Sequence, residues 1–410
     1  MRHGTSVAVY GLSIGLSAIV TLSVIPVVID HSGPRAWASL AVGQAVGTGA
    51  AILTGFGWGT TGPTDVARAD ASGRPQIYVE SLRARALLYA PLLAVAVLVT
   101  FAVVDQDRAA AALNAGAFAS TGLLAGWFFS GAARPVSFLL FDACPRVVGN
   151  VVGAVALSFG LPLEAFPAAI LIGVLLGVVA TSRAAAPGVS VLRGADLRES
   201  IHRLRAQTAG LSISVVAAAY ASIPLVIVST VAPAALSFYA LADKLLRFAT
   251  TAYAPLIQFM QGWVPAGELA GTTRKVRIAW PAGAVLALLG GVCFVLLAPW
   301  LADLLSHGQV QIGAALLVPF ALALTAMVLA QVTGLVCLLA LGGAQMLARV
   351  SLMSAVLGLP GIFIGAAVAG VSGAAWMLAA AECLSMLLQV GLLVSAMRKR
   401  PENPSRTELS

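Results

Sequence analysis

The stretch "SVIPVVI" at residues 23–29 returns as "ASIPLVI" at residues 221–227, an Ile-Pro-x-Val-Ile core repeated 198 positions further on. Both copies sit inside apolar runs of about 20 residues, the length a helix needs to cross roughly 30 Å of hydrocarbon. Proline inside a helix is tolerated in a membrane bundle, where neighbouring helices satisfy the carbonyl it frees. The two copies therefore read as matching membrane helices, one in each half of the chain. Composition agrees. Of 410 residues, 60% are hydrophobic and 10% charged, with a mean hydropathy of +0.96, whereas a soluble domain carries roughly 25% charged residues.

Apolar runs of this length recur along the whole chain, at 7–29, 37–57, 85–104, 110–129, 136–158, 162–182, 208–230, 233–262, 278–302, 312–341, 348–369 and 373–397. Further matches flank the first. "WASLA" at 37–41 faces "FYALA" at 238–242, "YAPLLAVAVL" at 89–98 faces "AWPAGAVLAL" at 279–288, and Arg146 and Arg349 each lead into a Val-rich run. Their order and nearly constant offset predict an all-α polytopic membrane protein, with about 12 transmembrane helices in two six-helix lobes around a central cavity. The N-terminal lobe is expected at 1–182, a basic cytoplasmic linker at 183–207, the C-terminal lobe at 208–397 and a cytoplasmic tail at 398–410. Six is even, so the lobes have parallel topology. The linker, "RAAAPGVSVLRGADLRESIHRLR" over 183–205, is expected to form a short amphipathic helix on the inner surface.

Orientation follows from the rule that cytoplasmic loops retain Lys and Arg. With the N-terminus inside, 19 of the 24 basic residues, Arg85 among them, fall in inner segments. Only Arg35 and Arg108 fall in outer loops, and Arg146, Lys244 and Arg247 lie in or close to spans. Both termini are thus expected in the cytoplasm. Topology accounts for the formal charge of +8, which gives no reason to expect a nucleic-acid partner. Trp37, Trp58, Trp263, Trp280, Trp300 and Trp376 lie near span ends, where indoles favour the headgroup region. The first span is too long for a signal-peptide core, so it is expected to be retained. Cys144, Cys293, Cys337 and Cys383 lack the close spacing of a metal knuckle or a disulfide framework; no metal and no cofactor is expected.

The charges inside spans are the candidate site. Asp243 and Arg247 in "FYALADKLLRFATT" (238–251) stand at i, i+4 on a helix face, and so do Asp142 and Arg146 in "FDACPR" if Pro145 leaves that helix intact. A structural ion pair and a cavity-lining role are both open for each. Lys244 adds a cation with no adjacent partner in the sequence, so its cluster is net positive and suits a cavity that binds an anion. Glu382, the remaining deep carboxylate, reads as a helix–helix hydrogen bond or as an ion-coupling group. "GFGWGTTGP" at 55–63 contains Gly57-x-Gly59-x-x-Gly62, formally a dinucleotide fingerprint, but a membrane helix precedes it where that motif needs a strand. It reads as a helix end and flexible loop at the inner mouth, with Asp65 and Arg68 as gate residues or as ordinary solvated charges. Gly43 and Gly47, like Gly11 and Gly15, permit close helix packing. Integral enzymes of this size need a sizeable outer loop or an intramembrane histidine. The outer connections here are short, and His3, His31, His202 and His307 lie in loops or at termini, so an enzyme is not expected.

The chain resembles the polysaccharide-repeat (O-antigen, Wzx-type) flippases of the multidrug/oligosaccharidyl-lipid/polysaccharide exporter superfamily. The resemblance rests on "GFGWGTTGPTDVAR" (55–68), "GWFFSGAARP" (126–135), "FYALADKLLRFATTAYAPLIQFMQGWVP" (238–265), "ALGGAQMLARVSLMSAVLG" (340–358) and "AGVSGAAWMLAAAECLSM" (369–386). Trp127, Phe128, Phe129 and Gly131, and Tyr239, Ala242 and Lys244, match best. Ala132, Ala133 and Arg134 depart from a pattern in which an acidic and a basic residue follow the glycine. The resemblance implies a MATE-like, V-shaped, alternating-access cavity in a bacterial cytoplasmic membrane, with a polyprenyl-diphosphate-linked oligosaccharide as cargo. Arg146, Lys244 and Arg247 would meet the diphosphate, and transport would be driven by H+, Na+ or membrane potential. A polysaccharide polymerase and glycosyltransferases would be partners, and an ion-coupled drug or metabolite antiporter of the same superfamily is the alternative.

Overall fold

The computed structural model describes residues 2–187, 208–264 and 269–398. These residues are helical with short connections, and no strand occurs among them. In hydrocarbon each backbone N–H and C=O must be satisfied within its own segment, which a helix does and an open strand does not. In the first half, α1 spans Arg2–Gly55, α2 Trp58–Arg68, α3 Arg74–Val103, α4 Arg108–Ser120, α5 Gly126–Gly131, α6 Pro135–Phe138, α7 Cys144–Ser158 and α8 Ala165–Ala185. In the second, α9 spans Thr208–Val231, α10 Leu236–Ala252, α11 Ala254–Trp263, α12 Leu269–Ser306, α13 Ala314–Gln331 and α14 Ala344–Arg398. The tail beyond 398 and most of the expected linker helix, from residue 188 onward, lie outside the described residues.

Two of these helices are each interrupted by a kink. α1 breaks at Gly33 (φ 85°, ψ 165°), a left-handed conformation that glycine adopts without strain, and Pro34 restarts the helix. α14 breaks at Ala369 and Gly370. α9 and α10 are joined by a sharp bend at Ala232 (φ −138°, ψ 57°). Among the described residues eight helical stretches and one bent pair are long and apolar enough to cross a membrane. Two of those stretches are each divided by a kink into two arms, so the count is roughly that which the hydropathy pattern predicts. The protein is a multi-pass, all-helical membrane protein.

The chain forms two compact units, Met1–Ala240 with Asp303–Val310, and Leu241–Ala302 with Gln311–Ser410. α9, the first helix after the linker, packs along α1 and belongs to the first unit. The units follow contact, while the lobes read from the sequence follow the repeat; besides the expected N-terminal lobe the first unit takes α9, the start of α10 and Asp303–Val310. In the first unit α1 packs most extensively on α4, because Gly43 and Gly47 lie against the carbonyls of Ala111 and Ala115. Asn114 donates to the Leu40 carbonyl across the same seam (2.8 Å). A Cβ at Gly43 would collide with backbone that cannot rotate away. Gly43→Val is therefore expected to cost about 1–3 kcal/mol, read as a lowered melting midpoint of the purified protein. An unchanged midpoint would show that the α1–α4 seam relaxes.

Each half departs from α-geometry at the same tripeptide. In the first half Thr121-Gly122-Leu123 is a 3-10 turn, after which Leu124 turns extended and the helix restarts as α5. In the second, Thr333-Gly334-Leu335 lies within the π-helical turn Val332–Leu338. A polar side chain from the preceding long helix holds each irregularity. Arg85 of α3 donates to the carbonyls of Gly122 (3.0 Å) and Leu124 (2.8 Å), and Trp280 of α12 donates to the Thr333 hydroxyl (3.1 Å).

Three sequence expectations need correction. Residues 58–68 of the glycine-rich stretch are the helix α2, packed on α5, and not a flexible loop. Gly62 lies against the Trp127 ring and Gly131 against Pro63, so those glycines serve close approach. Trp37 and Trp58 are buried (6% and 5% exposed) instead of lying in the headgroup region, and Trp58 stacks on Trp127 at 5.7 Å. Trp263, Trp300 and Trp376 do face outward. Arg85, assigned to an inner segment, is 1% exposed within α3. Between α2 and α3, the Ser72 hydroxyl and the Gly73 N–H both donate to Asp70 (2.6 and 3.1 Å), and they hold its carboxyl below the usual carboxylate range.

Candidate functional site

The candidate residues fall into one cluster per unit. In the first unit the π-helical turn Leu139–Ala143 joins α6 to α7 and carries Asp142. Pro145 is the second residue of α7, directly after the π-helical turn, and the Phe141 carbonyl four residues before it accepts from the Thr181 hydroxyl in place of the N–H that proline lacks. The run is unbroken and the pair forms. Arg146 Nη2 lies 2.6 Å from Asp142 Oδ1, and its Nε donates to the Asp142 carbonyl (3.1 Å). The Asp142 side chain is 9% exposed and that of Arg146 38%. Thr181 of α8 donates to the Phe141 carbonyl (3.3 Å) and fixes the turn.

Arg85 is the member that sequence reading missed. A Cβ at Gly126 would lie 2.8 Å from Asp142 Oδ2, so the carboxylate sits where α5 begins, two residues after the Leu124 carbonyl that Arg85 holds. The guanidinium also donates to the Ser81 hydroxyl (3.0 Å) and lies over the Trp127 ring, 5.7 Å from its centroid. Around it Tyr78, Trp127, Phe128, Phe129 and Phe141 form a continuous chain of ring contacts at 5.5–6.1 Å. The aromatic-glycine element 127–131 is thus core packing beside the charge cluster. A signal was present: Tyr78, Ser81, Leu82 and Arg85 recur at i, i+3, i+4 and i+7, the spacing of one buried helix face.

In the second unit Asp243 and Arg247 of α10 lie Nε to Oδ2 at 2.6 Å, with side chains 11% and 44% exposed. Lys244, the next residue, is half-buried. Glu382 on α14 is half-buried and makes no hydrogen bond or ion pair with the described residues. The sequence-predicted cations are therefore divided, Arg146 in one unit and Lys244 and Arg247 in the other. Of the two gate residues, Asp65 is exposed on α2; the Arg68 side chain lies outside the described residues. No group of three or more His, Cys, Asp or Glu side chains that could hold a metal ion occurs among the described residues, and the four cysteines are free thiols.

Both pairs share one asymmetry: the carboxylate is buried and the guanidinium is left partly open. A cation in a membrane span is rarely left facing lipid and usually marks a cavity or pathway. Such an arrangement can hold an anionic group against Arg while Asp keeps the guanidinium oriented.

No family model matches the chain, and no curated protein matches it. Solved structures do share its fold. The lipid II flippase MurJ in an inward closed conformation superposes with a TM-score of 0.71 at 11% identity, over 95% of this chain and 89% of that one. A multidrug resistance MATE family transporter of the MOP superfamily, in an inward-facing conformation, gives 0.58 at 12% identity, with 96% of each chain covered. The eukaryotic MATE transporter AtDTX14 gives 0.61 at 14% identity, over 97% of this chain and 98% of that one. The fold is that of MATE transporters and of MurJ, along essentially the whole chain.

Proposed function

We propose that this protein is a flippase that moves a polyprenyl-diphosphate-linked oligosaccharide across the cytoplasmic membrane by alternating access, for cell-surface polysaccharide assembly. Supporting it most directly is one cluster in the membrane helices of each unit: the half-open guanidinium of Arg146 in the first, and that of Arg247 with its neighbour Lys244 in the second. A lipid diphosphate presents clustered oxygen acceptors, and charge-assisted hydrogen bonds from Arg and Lys are the strong way to hold them. The likeness to the fold of a lipid II flippase supports the same reading. On this reading both termini lie in the cytoplasm, as the division of basic residues leads one to expect, with glycosyltransferases acting before translocation and a polymerase after it. Vesicles containing the purified protein should move a polyprenyl-diphosphate-linked oligosaccharide between leaflets faster than protein-free vesicles; equal rates would end the reading.

A second reading, an ion-coupled drug or metabolite antiporter, is favoured by the MATE fold likeness and by Glu382. Asp142 and Asp243 are each engaged in a 2.6 Å ion pair, whereas Glu382 makes none with the described residues. Glu382 is therefore the carboxylate most readily used for coupling in either reading. Glu382→Gln is expected to reduce gradient-driven turnover to the rate seen without a gradient, while Asp142→Asn and Asp243→Asn retain gradient dependence. Unchanged dependence in Glu382→Gln vesicles would remove this residue from coupling.

A further inference from the structure

Three turns meet at one end of the first unit: the break of α1 at Gly33–Pro34, the α3–α4 turn at 104–107, and the start of α10 after the Ala232 bend. They enclose a pocket of about 190 Å³, lined among others by Arg35, Val104, Asp105, Gln106, Leu236 and Ser237. The charge division places this end on the outer side, where Arg35 is one of two basic residues. The other, Arg108, is committed: it donates to the Val104 carbonyl (2.8 Å) and lies over the Phe101 ring. The side chains of Arg35, Asp105, Gln106 and Ser237 form no hydrogen bond or ion pair with the described residues. Four hydrogen-bonding groups around one pocket are thus left open.

Their chemistry selects a ligand class. A guanidinium only donates, a carboxylate only accepts, and an amide and a hydroxyl do both. Such a mixture complements the neighbouring hydroxyls of a sugar ring, each of which donates and accepts. Arg35 and Asp105 together carry no net charge, so the pocket offers no excess cation for a phosphate and no second carboxylate for a metal ion. Buried Val104 and Leu236 add apolar wall for the C–H face of a pyranose. The volume suits one ring and not a lipid tail. We propose that this pocket binds a single neutral saccharide residue at the outer end of the first unit. Its role as a receiving site for the translocated sugar rests on the flippase reading; its ligand class does not.

The test uses the full chain in nanodiscs, with free N-acetylglucosamine as the probe, glycerol 3-phosphate as the stand-in for a lipid headgroup, and saturation-transfer NMR as the readout. Transfer to the ring protons of N-acetylglucosamine is expected in the native protein. It should weaken about tenfold in each of Arg35→Gln, Asp105→Asn and Ser237→Ala, as loss of one such hydrogen bond implies, with melting midpoints confirming that the variants stay folded. Absent transfer, transfer unchanged in all three variants, or a preference for glycerol 3-phosphate would overturn the proposal. Vesicle assays with lipid-linked oligosaccharide judge the flippase reading separately. Native protein that moves the lipid but binds no sugar sinks the pocket alone; protein that binds sugar but moves no lipid sinks the flippase reading alone.

Discussion

Replacing Arg85 by methionine is expected to destabilise the first unit by about 2–4 kcal/mol. The guanidinium satisfies the Gly122 and Leu124 carbonyls, which the break between α4 and α5 leaves without helical partners. Each buried acceptor left unsatisfied costs about 1–3 kcal/mol. That cost is discounted because the state unfolded within a membrane finds other partners too. Asp142 would keep Arg146 as its partner, so no lone buried carboxylate adds to the penalty. Arg85→Lys keeps the charge but cannot reproduce two carbonyl bonds from one planar fork, so it should fall between the two. Trp280→Phe, at the corresponding irregularity of the second half, removes one neutral hydrogen bond to Thr333 and should cost about 1 kcal/mol. Melting midpoints in detergent check the order native, Trp280→Phe, Arg85→Lys, Arg85→Met. An Arg85→Met protein as stable as the native one would mean that solvent or a rearranged helix end satisfies those carbonyls.

The features legible in the sequence were those written in local periodicity. Apolar runs marked the membrane segments, and the i, i+4 spacing put Asp142 with Arg146 and Asp243 with Arg247 on one helix face, where an ion pair was one of the two readings left open; the structure brings each pair to 2.6 Å. What was not legible depended on what lies opposite a residue. Nothing within residues 55–63 says that Trp127 will seat on Gly62, so a packed helix read as a loop. Trp58 at a span end resembles a headgroup indole until its stacking partner, 69 residues away, is known. Arg85 was misread for a different reason. A count of basic residues treats every cation as solvated, and it passed over the helical face shared with Tyr78 and Ser81 and the Thr-Gly-Leu that recurs at 121–123 and 333–335. Both signals were in the chain; the charge count hid the first, and the tripeptide fell outside the four repeat matches.

The cations of α10 should matter to transport far more than to folding. A charge-assisted hydrogen bond to a diphosphate is worth roughly 1.5–3 kcal/mol, about one to two decades in affinity. Arg247→Ala alone is a poor test. Asp243 is buried while Arg247 is half-open, and removing the partner leaves a buried charge uncompensated, at about 3–5 kcal/mol. Loss of transport in that variant would then report misfolding. The informative comparison sets Lys244→Gln beside the double change Asp243→Asn with Arg247→Gln, which removes both partners together. Under the flippase reading both variants insert at native levels, melt near the native midpoint, and move lipid-linked oligosaccharide in vesicles at least about tenfold more slowly at low cargo concentration. If Asp243 and Arg247 serve packing alone, the double change translocates at the native rate, and if Lys244 is a solvated charge its variant does too. Native rates in both variants, at matched protein levels, would remove α10 from the cargo path and leave Arg146 as the cation on which the proposal stands.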